Sequence, residues 1–213
     1  MAKILVARHA ESIANTKGIY QGQTYNTGLS PLGKKQAKAL AESLTRDIDQ
    51  IISSPLKRTM ETARIVSQKI GVEVVYEHAI IETNHGEWEG KNIKWIKNNY
   101  PEVFDLWQNM PSKAVFPFGE KFVETAGRVR NYIMGKTWQG NSLLITHDNI
   151  VRVMVCMAEK RPIDDLWKFK LDPAAVTEFD IVGVNGSKEL KLVKLNDTEH
   201  LTKLRSDLSS HAL

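Results

Sequence analysis

The sequence predicts an α/β protein of three layers, α/β/α, on a mainly parallel sheet that ends in an antiparallel hairpin. Two observations carry the parallel part. Short unbroken apolar runs, "KILVA" (3–7) and "SLLIT" (142–146), read as strands buried on both faces. Segments with helical apolar spacing lie between such runs. A third observation carries the hairpin: "VTEFDIVGVNGSKELKLVKLN" alternates in polarity around Asn185-Gly186, a strong turn signal.

The elements follow in order. After "KILVA", a helix begins at "SPLGKKQAKALAESLTRD", with Ser30 as N-cap and Pro31 at its first position. Ala37, Leu40, Ala41 and Leu44 mark its buried face. "QIISS" is a second strand, followed by a helix over about 56–70 that stops at Gly71, where a C′ glycine belongs. "VEVVYE" is a third strand. The Trp-rich segment 84–118 shows no clear strand, and its helical stretch "NIKWIKNNYPEVFDLWQN" must break at Tyr100-Pro101. A helix over about 120–138, a fourth strand "NSLLITH", and a helix over about 149–159 complete the parallel part. We expect one domain, 1–213, with 84–118 as an insertion roofing one end of the sheet.

Composition narrows the classes of function. A net charge of +4 with Lys and Arg spread along the chain reads as a solvated surface, so we expect no nucleic-acid partner. No stretch approaches the roughly 20 apolar residues of a membrane span, and the N-terminus is not a signal peptide. Cys156 is the single cysteine, which excludes an intramolecular disulfide framework and a cysteine zinc site. In an apolar helix it reads as an inert core thiol. The expected compartment is the cytoplasm. Oligomeric state is left open, a homodimer included, and so is the polar tail after His200.

Chemistry gathers at the C-terminal ends of the strands, where open α/β sheets bind ligands. The first strand ends on Arg8-His9 and the fourth on Thr146-His147. Arg58 lies one turn into the helix after the second strand, and Glu82 follows the third. Two guanidiniums suit a phosphoryl group. A histidine among cations stays neutral and nucleophilic, while a second, protonated histidine helps hold the anion. A carboxyl facing the first histidine can protonate a leaving oxygen. The set points to phosphoryl transfer through a phosphohistidine, with no metal and no cofactor required.

These residues sit in blocks that resemble those of the histidine phosphatase superfamily, the phosphoglycerate mutase-like fold. "RHAESIAN" resembles its Arg-His-Gly-Glu-Ser-x-x-Asn signature, and "YQGQTYNTGLSPLGKKQA" is similar to its second block. "IISSPLKRTMETA", "IIETNHGEWEG", "LLITHDNIVR" and the tail "LNDTEHL" follow in family order. The resemblance implies that His9 is the nucleophile. It implies that Arg8, Arg58 and His147 hold the phosphate, with hydrogen bonds from Asn15 and Gln21. Glu82 would be the proton donor and later the base, with Glu87 and Glu89 as nearby competitors. His85, in the roof, is either a surface residue or a substrate contact. The set includes no metal ligand. Two positions depart from the pattern: Ala10 and Asp148 stand where glycine is usual. The Asp148 carboxylate must point away or find a cation.

The superfamily divides on the acceptor. "GEWEG" and the short stretch between Glu82 and His147 resemble the phosphatase form, which admits water. A phosphomonoesterase acting on a small phosphorylated metabolite is therefore expected, with a phosphoglycerate mutase as the alternative. An inactive phospho-ligand binding protein is a second alternative. A histidine at position 85 and the long tail resemble the metal-independent phosphoserine phosphatases of the superfamily, which points to phosphoserine or a phosphoglycerate-like acid.

Overall fold

The computed structural model describes residues 2–44, 47–184 and 187–207. Its centre is a six-stranded sheet of order β3-β2-β4-β1-β5-β6. The strands are β1 (Ala2–Arg8), β2 (Gln50–Ser53), β3 (Val74–Tyr76), β4 (Asn141–Thr146), β5 (Val176–Val184) and β6 (Ser187–Asp197). β1, β2, β3 and β4 run parallel, β5 is antiparallel to β1, and β6 is antiparallel to β5. The expected hairpin is therefore present as a strand pair. Its Asn185-Gly186 turn lies outside the described residues.

Alternation along β1 explains why the sheet is covered on both sides. Ile4 and Val6 point into one apolar cluster with Leu144 of β4, and Leu5 and Ala7 into another with Leu143 and Ile145. The second cluster takes in Leu40 and Ala41 of α1 (Pro31–Ser43) and Ala63 and Val66 of α2 (Lys57–Ile70). The first takes in Val129 and Ile133 of α5 (Phe122–Gly135) and Ile150 and Met154 of α6 (Asp148–Ala158). Cys156 is buried there as expected, and burial pushes its thiol up to about 11.

Most helix ends fall where the sequence puts them. The Ser30 hydroxyl caps α1 by accepting from Gly33 N–H at 2.9 Å, and Gly71 ends α2 at φ +77°. Segment 84–118 carries α3 (Ile93–Asn99) and α4 (Pro101–Asn109), which break at Tyr100-Pro101 as expected. Three elements differ in extent. β3 is only three residues long, because its far side has no partner strand. α5 covers 122–135, not 120–138. Glu120 is drawn off to accept from Asn84 N–H at 2.7 Å, and the Trp138 indole donates to Ile133 O, closing the helix end from beyond it. α1 is likewise shorter than its apolar pattern, ending at Ser43; Thr45 and Arg46 lie outside the described residues.

The described part of the tail packs on α1 and the loop after β1. Leu201 is buried beside Ala10, Leu29, Ala37 and Ala174. Gln36 of α1 donates to Leu204 O and Ser206 Oγ at 2.8 and 3.0 Å. Residues 208–213 lie outside the described residues. Among the described residues, no helix is long and apolar enough to cross a membrane.

Candidate active site

Strand register assembles the site. Arg8 pairs with Thr146 across β1–β4, and Ser53 with Ile145 across β2–β4. The next residues on β1 and β4, His9 and His147, are therefore at the same level, and Ser54 follows β2 beside Thr146, one step back. His9 N–H donates to Thr146 O at 2.8 Å, and Ser54 N–H to Ile145 O at 3.0 Å. The rings of His9 and His147 meet edge to face with centroids 5.4 Å apart.

His9 is fixed by its own turn. A ring nitrogen facing a carbonyl must carry the proton, and Nδ1 lies 2.8 Å from Ala10 O. Nε2 then holds the lone pair, as a nucleophile needs. Ala10 explains why alanine is accommodated here. Its φ is not positive, its N–H donates to Thr62 Oγ1, and its methyl fills the cluster with Ala37 and Leu201. Strain appears instead at Ala174, held at φ +59° while its N–H reaches the carbonyls of Arg8 and His9.

Around His9 lie Arg8, Asn15, Gln21, Arg58, Glu82 and His85, all lining one cavity of about 50 Å³. That is room for a group of a few heavy atoms. His147 is fully buried and sits beneath, against His9. Arg8 Nη1 donates to Leu171 O at 2.6 Å, and Arg58 Nη2 to Gly22 O at 3.1 Å. The rest of these groups is left over. Arg8 Nε, Arg58 Nε and Nη1, and His147 Nδ1 are buried with no hydrogen-bond partner in the protein. Buried donors are rarely left unpaired, so the guanidinium nitrogens of Arg8 and Arg58 at one cavity make a cradle for an anion. Burial lowers Arg58 to about 10, and it remains cationic at neutral pH.

His147 departs from expectation in charge. Burial, with Arg58 and His9 close by, holds it well below the ordinary histidine range. Burial thus favours the neutral ring, with one nitrogen carrying a proton and the other a lone pair. Its Nε2 lies 2.7 Å from Ser54 Oγ, a hydroxyl that can give or accept the bond. His85 is not a surface residue. It is buried, with Nδ1 donating to Gln21 O at 2.8 Å and Nε2 facing Asn149 Nδ2 at 3.3 Å. Burial lowers it to about 4, so it adds no positive charge to the cavity.

Glu82 is set apart from its neighbours. Its Oε1 accepts from Thr83 N–H at 2.8 Å, and burial pushes its carboxyl up to about 7 despite Arg58. Arg128 of α5 holds the segment before it, donating to Ala79 O, Ile81 O and Glu82 O. Glu89 is spent on structure, accepting from the N–H groups of Gln23, Thr24, Tyr25 and His85. Glu87 bonds the Tyr100 hydroxyl. Gln21 lines the cavity with its amide already engaged by Ser12 and Thr27. Asn15 Oδ1 takes both Ser12 N–H and Ser12 Oγ. Among the described residues, no three His, Cys, Asp or Glu side chains form a group able to hold a metal ion.

Several members of the site had no role assigned from the sequence. Tyr20 and Trp107 line the cavity from segments that read as loop and roof packing. Asn149 lines it too and joins His85 to Thr83. Asp148 finds two cations: its Oδ1 is 3.1 Å from Arg8 Nη1, and its Oδ2 is 2.6 Å from Arg152 Nε.

Comparison with known proteins identifies the family. The family model described as histidine phosphatase superfamily (branch 1) matches residues 4–198. Phosphoserine phosphatase 1 of Hydrogenobacter thermophilus is 35% identical over 205 residues, covering 94% of this chain and 95% of that protein. Adenosylcobalamin/alpha-ribazole phosphatase of Escherichia coli is 26% identical, over 84% of this chain and 90% of its own. Among solved structures, a mycobacterial glucosyl-3-phosphoglycerate phosphatase superposes with a TM-score of 0.82 at 25% identity. That match covers 92% of this chain and 99% of the other.

Proposed function

Because this chain belongs to the histidine phosphatase superfamily (branch 1), we propose that it hydrolyses a small phosphorylated acid through a phosphohistidine, without a metal. One observation carries the reading: three unpartnered, buried nitrogen atoms of Arg8 and Arg58 belong to side chains that line one cavity with a histidine whose Nε2 holds the lone pair. His9 Nε2 attacks phosphorus and the ester P–O bond breaks. Glu82, protonated near neutral pH, gives its proton to the departing oxygen. The resulting carboxylate then takes a proton from water, whose oxygen attacks the phosphohistidine and releases inorganic phosphate. The two arginines stabilise the equatorial oxygens throughout.

The small cavity and its cationic floor support a compact substrate, and the 35% relative supports phosphoserine among such acids. Phosphate release should survive EDTA and fall on the order of 10⁴-fold or more in His9→Ala. Labelled enzyme should carry acid-labile, alkali-stable phosphate only when His9 is present. A kcat/KM for phosphoserine no higher than for p-nitrophenyl phosphate would remove the substrate reading. Conversion of 3-phosphoglycerate to 2-phosphoglycerate would replace hydrolysis with mutase chemistry. A loss of activity on chelation would break the mechanism.

A further inference from the structure

Asp148 stands at the first position of α6, one residue after His147, and its side chain is 15% exposed at the cavity wall. Its two oxygens are divided between two guanidiniums on different elements, Arg8 at the end of β1 and Arg152 one turn further along α6. Arg152 is itself immobilised. Its Nη1 donates to Leu166 O at 2.9 Å and to Phe169 O, and its guanidinium lies over the Trp167 ring, 4.9 Å from the centroid. Arg8 therefore has one corner, Nη1, held by Asp148 and Leu171 O, while Nε on its other edge is left for the cavity.

We propose that Asp148 is a positioning residue: backed by Arg152, it pins the Nη1 corner of Arg8 and offsets one positive charge of the phosphate cradle. It thereby gives up some ground-state affinity for phosphate in return for orientation of Arg8 and release of product. The inference rests on the phosphatase reading above. Two effects of the carboxylate oppose each other. A negative charge at the cavity wall repels a bound phosphate dianion, so its removal strengthens ground-state binding. Loss of a fixed guanidinium, in contrast, weakens stabilisation of the transition state, where small misplacements cost up to 10²-fold. The two effects separate in kcat and affinity.

Asp148→Asn in the full chain should lower kcat by about 10- to 100-fold. The same variant should bind inorganic phosphate at least about 3-fold more tightly in calorimetry. A second readout is the pH profile. Glu82 is faced by Arg58, Arg128 and Asp148, with Arg8, His9 and His147 around the same cavity, and Asp148 pushes it up. The alkaline limb of kcat/KM should therefore move to lower pH in Asp148→Asn. Arg152→Met leaves the Asp148 charge less neutralised and should move phosphate affinity and the limb the other way, so it judges the proposal even if Asp148→Asn does not fold. Unchanged or weaker phosphate binding in Asp148→Asn overturns the proposal, as does a kcat within about 2-fold of wild type. A shift in the same direction in both variants also overturns it. If the wild-type chain hydrolysed no monoester, the phosphatase reading would fall, and the opposite shifts in phosphate affinity would still decide on Asp148.

Discussion

At Glu82 catalysis and stability pull against each other. Its carboxyl titrates near 7 in the folded chain because burial outweighs the attraction of Arg58. A donor must be protonated, so kcat/KM should fall as pH rises above about 7, read directly from a pH–rate profile. Folding also takes up a proton between the ordinary carboxyl value of 4.5 and about 7, so this residue costs stability increasingly as pH rises through that window. Glu82→Gln should therefore lose about 10²–10⁴-fold in kcat, yet melt several degrees higher at pH 8. The gain, at most about 3 kcal/mol, should vanish below pH 4.5. Equal melting shifts at pH 4 and pH 8 would show that burial does not govern this carboxyl. Strand-end position and block resemblance favoured Glu82 over Glu87 and Glu89. Only the backbone N–H groups gathered by Glu89 show why that carboxylate is unavailable.

Among the elements, α1 shows how closely a helix can be seated against a site loop. A Cβ on Gly33 would lie 2.0 Å from Glu11 O, in the turn just after His9. Gly33→Ala must therefore push the helix start and that loop apart. We expect a melting temperature lower by several degrees and phosphate affinity weakened about 10-fold or more, by thermal melts and calorimetry. A variant that keeps both values would show that the loop tolerates the displacement. The ends of α1 and α2 were readable from Ser30, Pro31 and Gly71, because capping chemistry is local. Those of α5 were not. The apolar pattern runs on to Trp138, and the helix stops at Gly135 because Glu120 and Trp138 make their bonds elsewhere.

Across the whole molecule, segment 84–118 and the sheet share one core. Trp88, Trp107 and Phe116 of segment 84–118 belong to the same apolar cluster as Ile4, Val6 and Leu144 of the sheet. Trp107 meets the rings of Phe116, Phe122 and Trp167 within 5.1 Å, and that of His85 at 6.1 Å. Trp107→Ala should therefore lower a single cooperative transition by about 10 °C, since emptying a buried tryptophan site costs about 3–5 kcal/mol. A separate early transition for segment 84–118 would show that the two parts do not share their stability. By itself the sequence determined the α/β class, the order of strands along the chain, and the residues that gather at the strand ends. Each of these follows from local periodicity and from the side of a sheet where ligands sit. The tertiary structure alone decided that His147 and His85 are neutral, that Glu89 is structural, and that Asp148 joins Arg8 to Arg152. Charge state and ion pairing depend on burial and on partners far away in sequence, and neither leaves a trace in local pattern.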